Sequence, residues 1–206
     1  MTTTGLLGGS FNPAHCGHRS ITLAVIAALE LDEAWWMVSP GNPLKVGASD
    51  MAPLAARLAS ARAMARRAPI RATAIETRLH TRYTIDTIRK LVRKYPKRRF
   101  VWIMGADNLG QFHRWRDWRK IAREVPIAVV ARPGYEAQAH AATAMGWLRR
   151  FIRPARQAKS WTKWSLPAIV LLRFRPDPNS ATAVRRADPA WHTRPASPVT
   201  ARTTRT

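Results

Sequence analysis

Cysteine is almost missing from this 206-residue chain. Cys16 stands alone, so no disulfide can close within it, which suits a reducing compartment. Acidic residues are scarce as well, 12 against 35 Lys and Arg, for a formal charge of +23. With one cysteine there is no Cys/His cluster of the kind that closes a structural zinc site. Long apolar runs are absent too. The longest early one, "ITLAVIAAL", is far too short to span a bilayer. The opening "MTTTGLLGGSF" has no basic region followed by an apolar one, so no secretory signal is expected. Neither GxxxxGK[ST] nor GxGxxG occurs, no internal repeat is visible, and no RNP, KH, zinc-finger or helix-turn-helix signature appears. These gaps lead to the expectation of a soluble cytoplasmic protein with no membrane and no nucleic-acid partner.

What is present is enough to fold. Hydrophobic residues make up 46% of the chain, too many for a disordered one. The length suits one sizeable α/β domain with a real core. We expect that domain over residues 1–187. Beyond Asp188 the chain is Pro, Thr, Arg and Ser with few apolar residues, and a disordered basic tail is expected over 188–206. The charge is denser late in the chain: the last 76 residues hold 14 basic side chains against 3 acids. Such a surface favours polyanions, although an arginine-rich composition alone also produces it. The stretch 149–163, "RRFIRPARQAKSWTK", is where nucleic acid would bind if it did, but a charge run is usually a solvated face.

Apolar periodicity alternates between strand and helix. "TGLLG" (4–8) reads as a short buried strand, and "HRSITLAVIAALEL" as a helix with Ile21, Leu23, Val25, Ile26 and Leu29 at helical spacing. "EAWWMVSP" is a buried strand stopped by Pro40. "MAPLAARLASARAMARR" is a helix with a basic outer face, and "PIRATAIE" a strand. "YTIDTIRKLVRKYP" is a helix with Ile85, Ile88, Leu91 and Val92 on one face, ended by Pro96. "RRFVWIMGAD" is a strand running into a glycine turn, "WRDWRKIAREV" a helix, and "PIAVVARPG" a strand. "AQAHAATAMGWLRRFIR" (137–153) is expected to be helical, "PARQAKSWTKWSLP" (154–167) irregular and exposed, and "AIVLLRF" the last strand. This alternation predicts an α/β protein with a doubly wound parallel sheet. In such sheets ligands bind beyond the carboxyl ends of the strands. The unusual loops all fall there.

The most unusual is "GGSFNPAHCGH", residues 8–18. Gly8 and Gly9 allow the backbone to approach a ligand closely. Asn12-Pro13 is a turn signal. His15 and His18 then sit at the mouth of a helix, whose free N–H groups and dipole suit a phosphate. By itself the stretch also reads as a helix-capping loop with incidental histidines. Near the other end, "NSATAVR" (179–185) places hydroxyls and an arginine at the start of a short helix, which suits β- and γ-phosphates. Alone, it reads equally as an ordinary capped helix.

His15-Cys16-Gly17-His18, after "GGSFNP", resembles the HxGH signature of the nucleotidylyltransferase superfamily. "NSATAVR" resembles its second signature, with Asn179 and Ala181 replacing the usual Ile and Ser. Four further loops, "PGNPLK" (40–45), "TRYTIDT" (81–87), "MGADNLGQFHRW" (104–115) and "ARPGY" (131–135), make the chain similar to the bacterial nicotinate-nucleotide adenylyltransferases, in order, from about residue 5 to 186. The resemblance implies a Rossmann-like nucleotidylyltransferase fold. It implies adenylyl transfer from ATP to nicotinate mononucleotide, giving deamido-NAD and pyrophosphate, a step of NAD biosynthesis. Mg²⁺ would be carried by the substrate phosphates, with no metal ligands from the protein.

Carried over by position, Gly8, Gly9, Ser10 and Phe11 would line the ATP phosphates. His15, His18, Lys45 and Arg185 would be the catalytic groups. Gly105 and Asp107 would hold the adenosine ribose, and Ser180 and Thr182 would join Arg185 at the triphosphate. Asn42, Lys45, Tyr83, Thr84, Trp115 and Arg132 would form the nicotinate mononucleotide side. There the Tyr83 and Thr84 backbone N–H groups would meet the carboxylate, and Trp115 would stack on the pyridine ring. Each residue has a plainer reading. Asp107 could cap a helix, Tyr83-Thr84 could simply start one, Lys45 could be one more solvated charge, and Trp115 is one of nine tryptophans. Enzymes of the same signature that use nicotinamide mononucleotide or phosphopantetheine are the nearest alternatives. A pair of N–H donors favours the carboxylate over the amide. A homo-oligomer is left open.

Overall fold

The computed structural model describes residues 1–41, 51–131, 136–174 and 181–193. Seven strands form one all-parallel sheet: β1 (Thr2–Gly9), β2 (Glu33–Val38), β3 (Ile70–Thr73), β4 (Arg98–Gly105), β5 (Ile127–Ala131), β6 (Ile152–Arg153) and β7 (Ile169–Arg173). Their order is β3-β2-β1-β4-β5-β7-β6. From β1 the chain winds outward through β2 and β3, then returns to the other side of β1 with β4. The switch point therefore lies between β1 and β4, where the crevice opens outside the carboxyl ends.

The strands are apolar on both faces because both are covered, as parallel sheets require. Alternation along β2 sends Trp35 and Met37 into one core layer and Trp36 and Val38 into the other. The first layer lies under α3 (Ile75–Arg78), α4 (Thr84–Lys94), α5 (Ala106–Phe112), α6 (Trp118–Glu124), α7 (Glu136–Ala141) and α8 (Met145–Leu148). The second lies under α1 (Cys16–Leu29), α2 (Leu54–Ala65) and a 3₁₀ segment over 155–163. A last helix, α9 (Ala181–Ala187), follows β7.

Helix α4 forms where predicted, with Ile85, Ile88 and Leu91 fully buried. Val92 does not join them; it is an exposed large hydrophobe, because a helical step of 100° from Leu91 carries it off the stripe. Four other expectations also change. Residues 154–167 are largely exposed, as expected, but not irregular throughout: the 3₁₀ segment packs on α1, Trp161 is 2% exposed, and its Nε1–H donates to the Leu29 carbonyl at 3.1 Å. Residues 137–153 are not one helix. They break into α7, α8 and a 3₁₀ turn, and end in β6, which takes the sheet edge beside β7. "PIRATAIE" leaves the sheet after Thr73, and its last two residues open α3. Gly105 makes no separate turn; it is the N-cap of α5, which starts directly after β4. Helix α2 has the expected basic outer face, with Arg62 exposed, but not every arginine is on it. Its buried stripe is Arg57, Ala61 and Ala65, at i, i+4 and i+8, so one arginine faces inward. Residues 188–193 make turns with Trp191 half-buried. No helix among the described residues is long and apolar enough to cross a membrane.

Candidate active site

The β1–α1 loop is held from below by aromatic packing. Phe11 has a left-handed φ of 47° and is 1% exposed. A non-glycine residue keeps such a conformation only where its surroundings impose it, since it costs roughly 1–3 kcal/mol. Here the Phe11 ring stacks on Trp36 at 5.1 Å and meets the His18 ring at 4.8 Å. The His15 and His18 rings lie 3.9 Å apart between centroids. His15 is the N-cap of α1 and His18 closes its first turn. The His15 N–H donates to His18 Nδ1 at 3.3 Å. In the neutral imidazole this leaves the proton on Nε2, as a donor beside the helix N-terminus. Behind His18, the Trp36 Nε1–H donates to Thr22 Oγ1 at 2.8 Å, and the Thr22 hydroxyl donates to the His18 carbonyl at 2.7 Å. Trp36 and Thr22 are both fully buried, so this chain fixes the first turn from inside the core.

The same loop is tied to its neighbours by side chains that donate to or accept from backbone. Asn12 Oδ1 accepts the Ala52 N–H at 3.1 Å, and Ser60 Oγ accepts that of Ala14 at 3.3 Å. Arg185 of α9 donates from Nη1 to the Asn12 carbonyl at 2.7 Å. Residues of the two signatures, 173 positions apart, are thereby brought into contact. Gly8 owes its place to a neighbour: a Cβ there would stand 2.8 Å from the Trp102 ring. Gly8, Gly9 and Ser10 are only half-buried, so their backbone remains reachable at the strand end.

On the β4 side, the register Leu7–Ile103 brings Gly9 and Gly105 to the ends of adjacent strands. Asp107, exposed in the first turn of α5, curls its carboxylate over Gly105, where a Cβ would collide with Oδ1. Further out, Tyr83 is the N-cap of α4 and Thr84 its first residue. The early N–H groups of a helix have no intrahelical acceptor, so this end can meet a carboxylate. Arg116 lies over the Tyr83 ring at 4.6 Å and adds positive charge beside it. Trp115 packs edge-on against Trp102 at 5.9 Å and against Phe112 at 5.4 Å, and stays partly exposed. Trp102 thus lies between Gly8 and Trp115 and links the two halves of the site. Thr182 is exposed on α9. Asn42, Lys45, Arg132 and Ser180 lie outside the described residues.

Two buried polar groups near these loops do not stand out in the sequence. Arg57 is 1% exposed, and burial pushes its guanidinium below the ordinary value. Glu76, at the start of α3, is 8% exposed. Burial pushes its carboxyl up to about 7, and a hydrogen bond with the Ser39 side chain pulls the other way. The period-4 stripe shared with Ala61 and Ala65 is the signal that could have placed Arg57 inside. Glu76 carries no comparable mark.

A doubly wound parallel sheet with a histidine pair at its switch point is the frame of a nucleotide-binding α/β protein. Residues 6–187 match the family model described as cytidylyltransferase-like, and the chain belongs to that family. Within it, the chain falls among the nicotinate-nucleotide adenylyltransferases. It is 62% identical over 191 residues to a protein of Erythrobacter litoralis named "Probable nicotinate-nucleotide adenylyltransferase", covering 93% of this chain and 87% of the relative. A relative of the same name from Parvibaculum lavamentivorans is 48% identical over 88% of this chain and 90% of its own length. The fold is similar to that of Plasmodium falciparum nicotinic acid mononucleotide adenylyltransferase in its complex with NaAD. The TM-score is 0.64 at 14% identity, over 90% of this chain and 83% of that one.

Proposed function

We propose that this protein transfers the adenylyl group of ATP to nicotinate mononucleotide, giving deamido-NAD and pyrophosphate. The observation that carries this reading is the match along 93% of the chain to a relative named for that reaction. The site geometry supports it. The attacking group is an anionic phosphate, so no general base is needed. Catalysis then rests on in-line positioning and on stabilising the charge that develops at the α-phosphoryl group.

In this reading the α1 N-terminus, the Gly8–Ser10 backbone and the two imidazoles receive the phosphates, and Nε2–H of His18 donates to an α-phosphoryl oxygen. Arg185, with Thr182 and Ser180, takes the triphosphate end. Asp107 holds the ribose over Gly105, and Lys45 adds charge. The α4 N-terminus at Tyr83 and Thr84 receives the nicotinate carboxylate, with Trp115 against the pyridine ring and Asn42 and Arg132 nearby. Among the described residues, no three His, Cys, Asp or Glu side chains are grouped to hold a metal. Imidazoles and one exposed carboxylate do not make the oxygen octahedron that Mg²⁺ demands, but they suit a Mg²⁺ ion that arrives on the phosphates. When bound there, it would neutralise triphosphate charge.

The test is pyrophosphate release with ATP and Mg²⁺, with nicotinate and nicotinamide mononucleotides supplied in parallel. Preference for the nicotinate form, lost in His18→Ala, is expected. Turnover with neither acceptor would overturn the reading.

A further inference from the structure

We infer that Arg57 is a positioning residue for the nucleotide-binding loop, an inference that rests on the function proposed above. Arg57 is not among the residues expected to meet substrate. Its guanidinium is buried at the carboxyl edge of the sheet and, among the described residues, donates to backbone carbonyls alone. Nε–H goes to Ala52 at 2.8 Å, Nη1 to Ser10 and to Ser39 at 2.7 Å each, and Nη2 to Pro40 at 3.4 Å. Among the described residues no carboxylate pairs with it.

The acceptors belong to three separate stretches of chain. Ser10 follows β1 in the phosphate loop, Ser39 and Pro40 follow β2, and Ala52 leads into α2. A planar guanidinium has five N–H groups in a fixed fork, so it sets the distances and angles between whatever accepts from it. A lysine offers one point of charge and cannot reproduce that geometry. Burying a cation is costly, and an apolar side chain of similar volume would fill the same space at less cost. The gain must therefore lie in the arrangement of the loops. Ser10 immediately precedes Phe11, whose left-handed backbone aims its ring at His18. The Ser39 N–H donates to the Gly9 carbonyl at 2.9 Å, so the β2 end is joined to the β1 end in the same knot. Moving Ser10 by a fraction of an ångström would move the strained turn on which the histidine pair is mounted, and misplacement on that scale is enough to lower the rate strongly.

The experiment compares Arg57→Lys and Arg57→Met with Leu148→Ala, a core change on α8 beneath the opposite face of the sheet. Melting temperature, kcat and KM for ATP and nicotinate mononucleotide are measured at a temperature where each variant is folded. The affinity for a non-hydrolysable ATP analogue is measured by calorimetry. Leu148→Ala is expected to lower the melting temperature and leave kcat/KM unchanged. Arg57→Lys is expected to fold, and to lose at least tenfold in kcat/KM for ATP and at least tenfold in analogue affinity. Its KM for nicotinate mononucleotide should change little. If both Arg57 variants lose activity only in proportion to their folded fraction, or if Arg57→Lys keeps wild-type kinetics and affinity, the inference is overturned. Should the wild type turn over neither pyridine mononucleotide, the functional reading fails instead. The analogue affinities then decide the role of Arg57: equal values for wild type and Arg57→Lys reject it, and a tenfold loss sustains it.

Discussion

The two signature segments, to which the proposed function gives the phosphates, are built in opposite ways. The first, residues 8–18, is sunk into the molecule: Phe11, Asn12 and His15 are buried, and Trp36, Thr22, Ser60 and Arg57 hold it from several sides. The second, on α9, has no buried residue among the described ones, and a hydrogen bond from Arg185 to Asn12 joins it to the first. A phosphate seat for charge that develops during reaction benefits from donors that do not reorganise. In the proposed function a clamp for the leaving pyrophosphate has to release it, and a helix with no buried residue suits that task. The contrast lies in burial: the first segment is packed into the core and α9 is not.

The sharpest way to break the comparison is His18→Ala. It is expected to cost roughly 2.7–4 kcal/mol of transition-state stabilisation, the range for loss of one preorganised donor, read as a 10²–10³-fold fall in kcat, far beyond what the smaller loss of stability from its bond to the His15 N–H and its contact with Phe11 would explain. A variant that melts earlier and keeps its kcat would place the histidine in the scaffold instead.

Glu76, hydrogen-bonded to Ser39 beside the first loop, tests its rigidity through pH. Its carboxyl titrates near 7 when folded, above the ordinary value of 4.5. The folded state therefore holds the proton more tightly, and stability present below about pH 4.5 is lost as pH rises to about 7. The shift corresponds to about 3 kcal/mol. Thermal melts of Glu76→Gln across pH 5 to 8 should be flatter than those of the wild type, with the variant the more stable at pH 8. Parallel curves would remove Glu76 as the cause.

Arg185→Ala should act on binding. A charged hydrogen bond of this kind contributes roughly 1.5–3 kcal/mol, so KM for ATP is expected to rise by about tenfold or more. Stability should hold, because α9 buries nothing. A drop in melting temperature equal to that of a core change would mean that α9 is part of the scaffold after all. The smallest effect on activity is expected for Thr22→Val, which removes the hydroxyl between Trp36 and the His18 carbonyl. About 1–3 kcal/mol of stability should go, since the buried Trp36 Nε1–H loses its acceptor, with a modest fall in kcat and no change in KM for nicotinate mononucleotide, as steady-state kinetics and melts would show.

Most of the strand–helix alternation was legible, because a sheet covered on both faces writes short apolar runs such as "EAWWMV" and a helix packed on one side writes a stripe such as Ile85, Ile88 and Leu91. The 3₁₀ segment around Trp161 was not, since "PARQAKSWTKWSLP" has the composition of an exposed loop and buries one ring and one alanine. The contact between Asn12 and Arg185 has no trace in local pattern either. Both ends of it were readable as motifs, but the distance between them was not.

By itself the sequence determined the α/β class, most of the strand–helix alternation and the signature loops that point to the family, because backbone preference, apolar period and signature residues are local properties of the chain. Only the tertiary structure decided that Arg57 points inward and binds the carbonyls of three loops, that Phe11 is held in a left-handed turn against Trp36 and His18, and that burial moves Glu76 toward neutral pH. Those outcomes depend on which backbone carbonyls and rings surround a side chain once the sheet has closed, and that environment is assembled from residues far apart along the chain.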